Sequence, residues 1–529
     1  MFDLPPLTTF LLSCTTLVIT YRLIRQKYAD IHPVALYHQS SISPVRNPGE
    51  SAIHRSQLTP FTYPLIVGLN IRDGHAFRDG DLRDVWEFSK NGQIGEFDKS
   101  TGEIQYYAAD KLAFKIMAAA SKFREYVPGV SKVAIYLPNS IENVLVTFAN
   151  AFADITTVLV PLTSDMDELS KHIAVSEPEI LVFGAGTIDF TKLKLPSSIK
   201  SLIVVATSSV EQHVDWTQVL DEKTNASISV HTWDEATAGE LSTVDPLNHE
   251  FTGDKAFAVT YVDTEGHIKL VEFSHKGVVS AIAAQLRVLP QSEGFSRADI
   301  FVPLDSLELM YNRIMLFAAL TAGTNVVFCG TTGAGYDLTA LKTIKATIIV
   351  LSTRSLLKLV EHKATVLQTL STRRAYGLLA HGVLPKGVLG LLPQLRLVYA
   401  HDDQPPSVPL EGKLAADKES SIAMPSLTSA DLTEVRALLG SRIIYALTCP
   451  LVAGAVCQTN IFDYRNLGHV RMFGPVLPSL EAVVKDCGEL KADKKQGHLF
   501  VSGYPAAGDE WIATGIVGKW GSDGCFTEI

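Results

Sequence analysis

The sequence has 529 residues, 47% hydrophobic and 19% charged, which fits a globular protein with a large core and a membrane segment. Its formal net charge of −10 argues against a nucleic-acid partner, since surfaces that bind nucleic acids carry excess Lys and Arg. Six scattered cysteines without a CxxC pair favour a reducing compartment and predict no metal site. In such a compartment the sequon at Asn225 is expected to be unused.

The uncharged stretch from Leu4 to Tyr21 predicts a membrane-spanning helix. About 18 residues at a rise of ~1.5 Å reach roughly 27 Å, close to the thickness of the hydrocarbon core. Arg22, Arg25 and Lys27 follow, and such basic flanks stay on the cytosolic side. Residues 1–31 are therefore predicted as a single-pass anchor with the bulk of the chain in the cytosol, at the endoplasmic reticulum or another cytosol-facing membrane. An interfacial helix is one alternative, and a cleaved signal peptide, which would need a basic start, is another.

The pattern after this stretch predicts an α/β fold. Residues 32–103 are rich in Ser, Pro, Gly and charge and are expected to form an irregular adaptor. The remainder, 104–529, is predicted as one domain. Within it, Lys132 to Leu162 gives strand, helix and strand, a βαβ unit that predicts a parallel sheet. Further predicted elements are a helix over 108–126, a helix over 167–176 and strands over 180–183, 300–304, 348–351 and 395–399.

Two short motifs have rival interpretations. Gly184-Ala185-Gly186 follows a strand as a dinucleotide-binding turn does, but the third glycine of that fingerprint is missing. His249 and Asp254 have the H-x4-D spacing of glycerolipid acyltransferases, although the match stands alone in a polar linker. Ordinary loops are the better interpretation of both.

The central stretch, Ala256 to Val279, reads as strand, polar loop, strand and helix, an arrangement that holds phosphate chains on backbone N–H groups in many enzymes. It resembles the phosphate-binding loop of the AMP-forming acyl-activating family, which includes the long-chain acyl-CoA synthetases and has the pattern YTSGTTGxPKGVxxTH. The glycine- and hydroxyl-rich centre of that pattern is replaced by carboxylates, Asp263 and Glu265. A triphosphate would be repelled there. The matching positions are Tyr261, Thr264, Gly266, Lys269, Val271, Ser274 and His275.

The same resemblance continues to the end of the sequence. The segment 301–330 is similar to the PLAHxxE region of the long-chain branch and keeps Pro303, Leu304 and Glu308. In those relatives the acyl chain lies between the sheet and a helix that corresponds to Ser306–Ala322, so an apolar tunnel is expected. The family's small-residue adenine turn is replaced at 400–405 by AHDDQP, whose bulky charged residues should block a purine. The polar insertion that follows is expected to be a surface loop.

Two closing motifs carry the family's magnesium and ribose contacts. Residues 445–449 resemble YGLTE and keep Tyr445 and Thr448, but Cys449 stands where the magnesium-binding glutamate is expected. A neutral thiol is a poor ligand for Mg²⁺, which prefers oxygen. Residues 511–529 resemble WxxTGDIGxxDEDGYLxI and keep Thr514 and Gly515. Ile516 replaces the aspartate that would hold the ribose hydroxyls.

The resemblance therefore implies the N-terminal domain of an acyl-activating enzyme, with parallel-rich sheets, flanking helices and a small β-rich lobe. The family's C-terminal domain, with its adenylating lysine, is expected to be absent. The remnant nucleotide-site residues are Thr264, Gly266, Lys269, Tyr445, Thr448, Thr514 and Gly515.

Two functions remain open from the sequence. The first is a membrane-anchored pseudoenzyme in lipid metabolism that binds a fatty acid, an acyl-CoA or a protein partner and needs no cofactor. The second is an active long-chain fatty acid–CoA ligase with divergent motifs, which would use ATP, Mg²⁺ and CoA. Loss of the phosphate, adenine, magnesium and ribose contacts together favours the first.

Overall fold

The computed structural model describes residues 6–24, 29–31, 33–206, 228–238, 254–263, 265–329, 338–361, 366–402, 426–508 and 510–529. Short 3-10 turns lie at Pro33–Tyr37 and Ala492–Lys494. The helices in the described residues are α1 (Pro6–Ile24), α2 (Leu82–Ser89), α3 (Ala109–Tyr126), α4 (Ile141–Phe152), α5 (Met166–Ser176), α6 (Trp233–Thr237), α7 (His275–Val288), α8 (Met310–Thr321), α9 (Leu338–Ile344), α10 (Thr353–Val360), α11 (Val366–Ala380) and α12 (Ser429–Leu439).

The first large sheet is parallel except at one edge. Its order is β11-β10-β9-β7-β8-β12-β13, and only the β12–β13 pair is antiparallel. Its central strands are apolar throughout because helices cover both faces. The strands are β7 (Lys132–Tyr136), β8 (Thr156–Leu159), β9 (Ile180–Gly184), β10 (Ser201–Val205), β11 (Ser229–Thr232), β12 (Lys255–Val262) and β13 (Ile268–Ser274).

The second large sheet has parallel strands in its centre and one antiparallel pair at each end. Its order is β19-β18-β17-β16-β14-β15-β5-β6. Part of the predicted adaptor therefore belongs to this sheet, because β5 pairs with β15. The strands are β5 (Ile94–Asp98), β6 (Glu103–Tyr107), β14 (Ile300–Pro303), β15 (Asn325–Phe328), β16 (Ile348–Ser352), β17 (Leu397–Asp402), β18 (Arg442–Thr448) and β19 (Ala455–Gln458).

The third sheet is antiparallel and forms the β-rich lobe near the end of the sequence. Its order is β1-β2-β21-β22-β23-β24-β20, so two strands from residues 40–56 complete it. A separate hairpin pairs β3 (Ile71–Asp73) with β4 (Ala76–Arg78). The strands of the lobe are β1 (Ser40–Ile42), β2 (His54–Ser56), β20 (Met472–Gly474), β21 (Leu480–Lys485), β22 (Gln496–Gly503), β23 (Ile512–Trp520) and β24 (Phe526–Glu528). The predicted α/β architecture, with parallel-rich sheets, flanking helices and a small β-rich lobe, is thus confirmed.

Helices α4 and α8 join the two large sheets. Helix α4 contacts β7 and β8 of the first sheet and β5 of the second, while α8 contacts β14, β15 and β16. Phe148 of α4 and Phe257 of β12 both lie against Phe317 of α8, with ring centroids 5.8 and 6.1 Å away. One continuous apolar core therefore runs through both sheets.

A buried arginine crosses this joint. Arg313 of α8 is 1% exposed, and its guanidinium donates to the Leu307 carbonyl at 2.8 Å, to Thr147 Oγ1 at 2.7 Å and to Asn143 Oδ1 at 2.9 Å. All three acceptors are uncharged. Burial consequently lowers the pKa of Arg313 to about 9. These hydrogen bonds hold α8 against α4. Burying the guanidinium costs desolvation free energy, which other interactions in the fold must offset.

Three sequence predictions need correction. The predicted membrane span is wrong: in the part of the chain that the structure describes, no helix is both long and apolar enough to cross a membrane. The stretch does form α1, but five threonines and Arg22 interrupt its apolar character. The predicted localisation rested on that span and stays a prediction. The helix predicted from Ser306 begins only at Met310, and the polar insertion after β17 contains the well-packed helix α12.

Replacing Arg313 with methionine should lower the free energy of unfolding by about 3 kcal/mol, because three buried acceptors lose their donor while the volume is largely kept. Denaturant titration followed by fluorescence measures this. Arg297→Met, at an exposed residue with one bond to Asn91, is the control and should change stability little. If the Arg313→Met protein is as stable as the wild type, the prediction is wrong. The free-energy cost of desolvating the charge would then equal the stabilisation that its hydrogen bonds provide.

Candidate functional site

The polar loop predicted as the phosphate site is a tight connection between β12 and β13, with Tyr261 paired to Lys269 at its base. The N–H of Asp263 donates to the His267 carbonyl at 2.9 Å, and the N–H of Gly266 donates to the Asp263 carbonyl at 3.0 Å. Gly266 has a φ of +80°, a conformation that favours glycine. These two backbone hydrogen bonds close the loop on itself. Thr264 lies outside the described residues.

The carboxylate of Asp263 occupies the inside of this loop. It accepts the backbone N–H groups of Glu265 at 2.9 Å and His267 at 2.8 Å, and it lies 2.7 Å from Lys269 Nζ. Its side chain is only 6% exposed. The hydrogen bond from Lys269, together with these backbone donors, lowers the pKa of Asp263 to about 2 and keeps it ionised. The Lys269 pKa is raised in return.

The second carboxylate of the loop, on Glu265, points outward. Its side chain is 65% exposed, and its Oε2 lies 3.4 Å from Nδ1 of the exposed His267. Single ligand atoms of Asp263, Glu265 and His267 lie within 4.8 Å of one another. Lys269 already binds the Asp263 carboxylate, however, and its charge would oppose a cation at that position.

The predicted adenine turn begins as strand rather than as turn. β17 runs on to Asp402, which is 3% exposed and bound by Nη2 of Arg471 at 2.7 Å. The hydroxyls of Tyr445 and Thr353 also donate to this carboxylate. Burial and the neighbouring Asp402 charge raise the pKa of Tyr445 well above its usual range. Instead of meeting a purine, Tyr445 and Asp402 bind each other.

The two threonines kept from the closing motifs donate their hydroxyls to backbone carbonyls. Thr448 Oγ1 donates to the Asp402 carbonyl at 2.6 Å, and Thr514 Oγ1 donates to the Leu499 carbonyl at 2.8 Å. Cys449 lies between them, with its Sγ 3.7 Å from the Thr514 carbonyl. Burial raises the pKa of the Cys449 thiol to about 12, so a neutral thiol faces the position expected for magnesium.

The predicted ribose position is apolar and buried. Ile516 is 3% exposed within β23. The preceding Gly515 has a φ of +78°, and its N–H donates to Nε2 of His498 at 2.8 Å. Burial lowers the pKa of His498, which keeps the imidazole neutral and able to accept this bond. Gly515 therefore also serves the packing of the β-rich lobe.

The structure brings these elements to one region. The buried Cys449 lies near Tyr261, at the base of the loop. Cys449 in turn contacts Thr514. Sequence reasoning missed the roles of Asp402, Arg471 and His498, which hold the remnant residues in place. Asp402 stands at the end of the apolar strand LVYAHD, and this pattern is a signal that could have indicated its role.

Comparisons with known proteins concern the fold and the family of the chain. An uncharacterized protein of Saccharomyces cerevisiae is 25% identical over 550 residues, which cover 94% of this chain and 93% of the yeast protein. The N-terminal domain of FACL13 from Mycobacterium tuberculosis superposes with a TM-score of 0.59 at 13% identity, covering 85% of this chain and 99% of that domain.

A luciferase-like enzyme from the nonluminescent mealworm Zophobas morio superposes with a TM-score of 0.58 at 12% identity, covering 88% of this chain and 98% of that enzyme. At these identities the likeness shows the fold alone. Residues 115–508 match the family described as AMP-binding enzyme. Because this match spans well over half of the sequence, the chain belongs to the AMP-binding enzyme family.

Proposed function

We propose that this protein is a non-adenylating member of the AMP-binding family, which acts in lipid metabolism by binding an acyl chain or a protein partner. The observation that carries the proposal is the Asp263 carboxylate inside the loop. Two backbone N–H groups and the Lys269 ammonium converge on it at 2.9, 2.8 and 2.7 Å. Backbone amides and a lysine are the donors that a phosphate group needs. Here a carboxylate of the chain itself has taken them.

The residues present do not fit ATP and Mg²⁺ at two further positions. Cys449 offers a buried neutral thiol where a hard cation needs oxygen, and Ile516 offers a buried hydrocarbon where ribose hydroxyls need an acceptor. If each of the three changes cost about 2 kcal/mol of transition-state binding and they added, the rate would fall by roughly four powers of ten. Thr448 and Thr514 donate to backbone carbonyls, which supports a scaffold role for these two threonines.

The alternative is an active fatty acid–CoA ligase with divergent motifs. The fold of the family and the presence of Lys269 favour it. For adenylation, Lys269 would have to leave the Asp263 carboxylate, from which its Nζ lies 2.7 Å away. Activity measurements separate the two functions directly.

The first prediction concerns loop order. Asp263→Ala should accelerate hydrogen–deuterium exchange several-fold at the amides of Glu265 and His267, because the carboxylate that accepts both of them is gone. The control is Glu265→Ala, which removes an exposed carboxylate from the same loop and should leave the exchange unchanged. Equal exchange in both variants and the wild type would contradict the assigned contacts.

The pH dependence of the same loop follows from the lowered Asp263 pKa. Because the pKa of Asp263 is lower in the folded than in the unfolded state, its ionised carboxylate stabilises the loop at pH values above the usual carboxyl pKa. This stabilisation is lost as the pH falls through the folded-state value of about 2. Loop protection should therefore be constant near neutral pH and fall between about pH 4 and pH 2. Glu265→Ala should follow the same curve, and Asp263→Ala should show no such step.

The second prediction concerns nucleotide chemistry. Purified wild-type protein should give no ATP–pyrophosphate exchange with a panel of fatty acids, measured beside an active synthetase of the family. Exchange above a hundredth of that reference, abolished by Lys269→Ala, would promote the ligase alternative.

A companion measurement isolates the loop itself. Asp263→Ser removes the internal carboxylate, so tripolyphosphate should raise the melting temperature of this variant and leave the wild type unchanged. Asp263→Ser combined with Lys269→Ala is the control and should lose the shift. A wild-type protein that responds like Asp263→Ser would show that the carboxylate does not block the amides.

The third prediction separates the two binding roles. Every residue from Met310 to Leu320 on the proposed tunnel wall α8 is buried, so an acyl chain could enter beside it only if the core rearranged. Equilibrium binding of a labelled long-chain fatty acid at micromolar concentration is the measurement. Given this packing, we expect no saturable binding. That result would favour the role in binding a protein partner. Saturable binding displaced by acyl-CoA would establish the acyl-chain role.

A further inference from the structure

Helix α11 turns an unusual face to solvent. Residues three and four apart on a helix share one face, and Leu370, Arg373, Arg374 and Gly377 are related in this way and are all exposed. Leu370 is 59% exposed. The opposite face is covered, because Ala375 and Leu379 pack against α12 and Tyr464. The helix is thus firmly held while its outer face carries one apolar and two cationic side chains.

The two arginines have no partner among the residues that the structure describes. Neither Arg373 nor Arg374 makes a hydrogen bond or ion pair with the part of the chain that the structure describes. Most other arginines of the described ranges do, including the deeply placed Arg396 and Arg465. In a chain of net charge −10, two adjacent unpaired cations on one rigid helix form a local positive patch.

Apolar surface continues beyond this patch. Tyr376 flanks it at 37% exposure. The N–H of Asp30 donates to the Gly382 carbonyl at 2.9 Å, so the segment that follows α1 is fixed beside the C-terminal end of α11. Helix α1 itself is exposed throughout residues 8–18, with Phe10, Leu11, Leu12, Leu17 and Val18 turned to solvent.

We propose that the outer face of α11, defined by Leu370, Arg373, Arg374 and Tyr376, docks on an anionic lipid bilayer. Arginine suits phosphate and carboxylate headgroups because its planar guanidinium donates in pairs, and leucine and tyrosine partition into the interfacial layer. The proposal concerns adsorption to a surface and is independent of nucleotide binding, since the loop at 263–269 contains none of these residues.

One acid lies at the edge of the face. Glu434 of α12 is close enough to Tyr376 to add to the raised pKa of that phenol, which burial causes in the first place. A carboxylate there opposes an anionic surface. Its removal should therefore strengthen binding rather than weaken it.

Vesicle sedimentation of the full-length protein tests the proposal. The vesicles are phosphatidylcholine alone and an equal mixture of phosphatidylcholine and phosphatidylserine. We expect binding to the anionic vesicles only, weakening as salt rises. Arg373→Ala with Arg374→Ala should lower the partition coefficient roughly 25-fold, about fivefold for each cation. Leu370→Ser should also lower it, and Glu434→Gln should raise it.

The matched control removes the same charge elsewhere. Lys99 and Lys111 are exposed, and Lys99→Ala with Lys111→Ala should bind within about twofold of the wild type, because a remote cation is screened. Circular dichroism and melting temperature confirm that each variant is folded. The proposal is overturned if the arginine variant binds as the wild type does, if the control loses binding equally, or if the wild type ignores anionic vesicles; an acidic protein surface would then be the next partner to test.

Discussion

The architecture depends on a polar joint buried between the two large sheets. Arg313 donates from α8 into α4, where Asn143 and Thr147 accept. Asn139, just before α4, donates to the carbonyls of Pro303 and Asp305 at the end of β14. The acceptors are uncharged oxygens, so the charge of Arg313 has no ion-pair partner among them. Hydrogen bonds therefore hold the joint more than ion pairing does. Because each donor needs its acceptor in place, this network fixes how the two sheets meet.

The candidate site differs from the joint in what its polar groups bind. In the loop at 263–267, the chain's own carboxylate satisfies the donors that would otherwise face solvent or a ligand. At Asp402, the hydroxyls of a tyrosine and a threonine and the guanidinium of Arg471 all donate to one buried carboxylate. A buried polar group without a partner costs roughly 1–3 kcal/mol, so these internal contacts stabilise the loop and the surroundings of Asp402 without any ligand. Under the proposed function, the motif residues that remain serve packing.

Much of this architecture was predictable because local patterns determine it. The βαβ unit over 132–162 and the buried strands at β12, β14 and β16 follow from apolar periodicity, and the substitutions at Cys449 and Ile516 are legible in the sequence. The inward turn of Asp263 and the outward turn of Glu265 were not predictable, since both are acids in one polar loop. The pairing of β5 with β15 and the packing of α12 depend on contacts distant in sequence, which composition alone does not reveal.

The β-rich lobe also carries a consequence for synthesis. Its strand β2 pairs with β21, and Arg55 binds Glu481 across a separation of 426 residues. At a translation rate of about 5–20 residues per second, β1 and β2 wait on the order of 20 to 90 s for the strand that completes them. During that interval their unpaired edges and the apolar α1 before them are accessible to other chains, which is the situation that molecular chaperones resolve. The last part of the lobe to leave the ribosome therefore decides when the first part can fold.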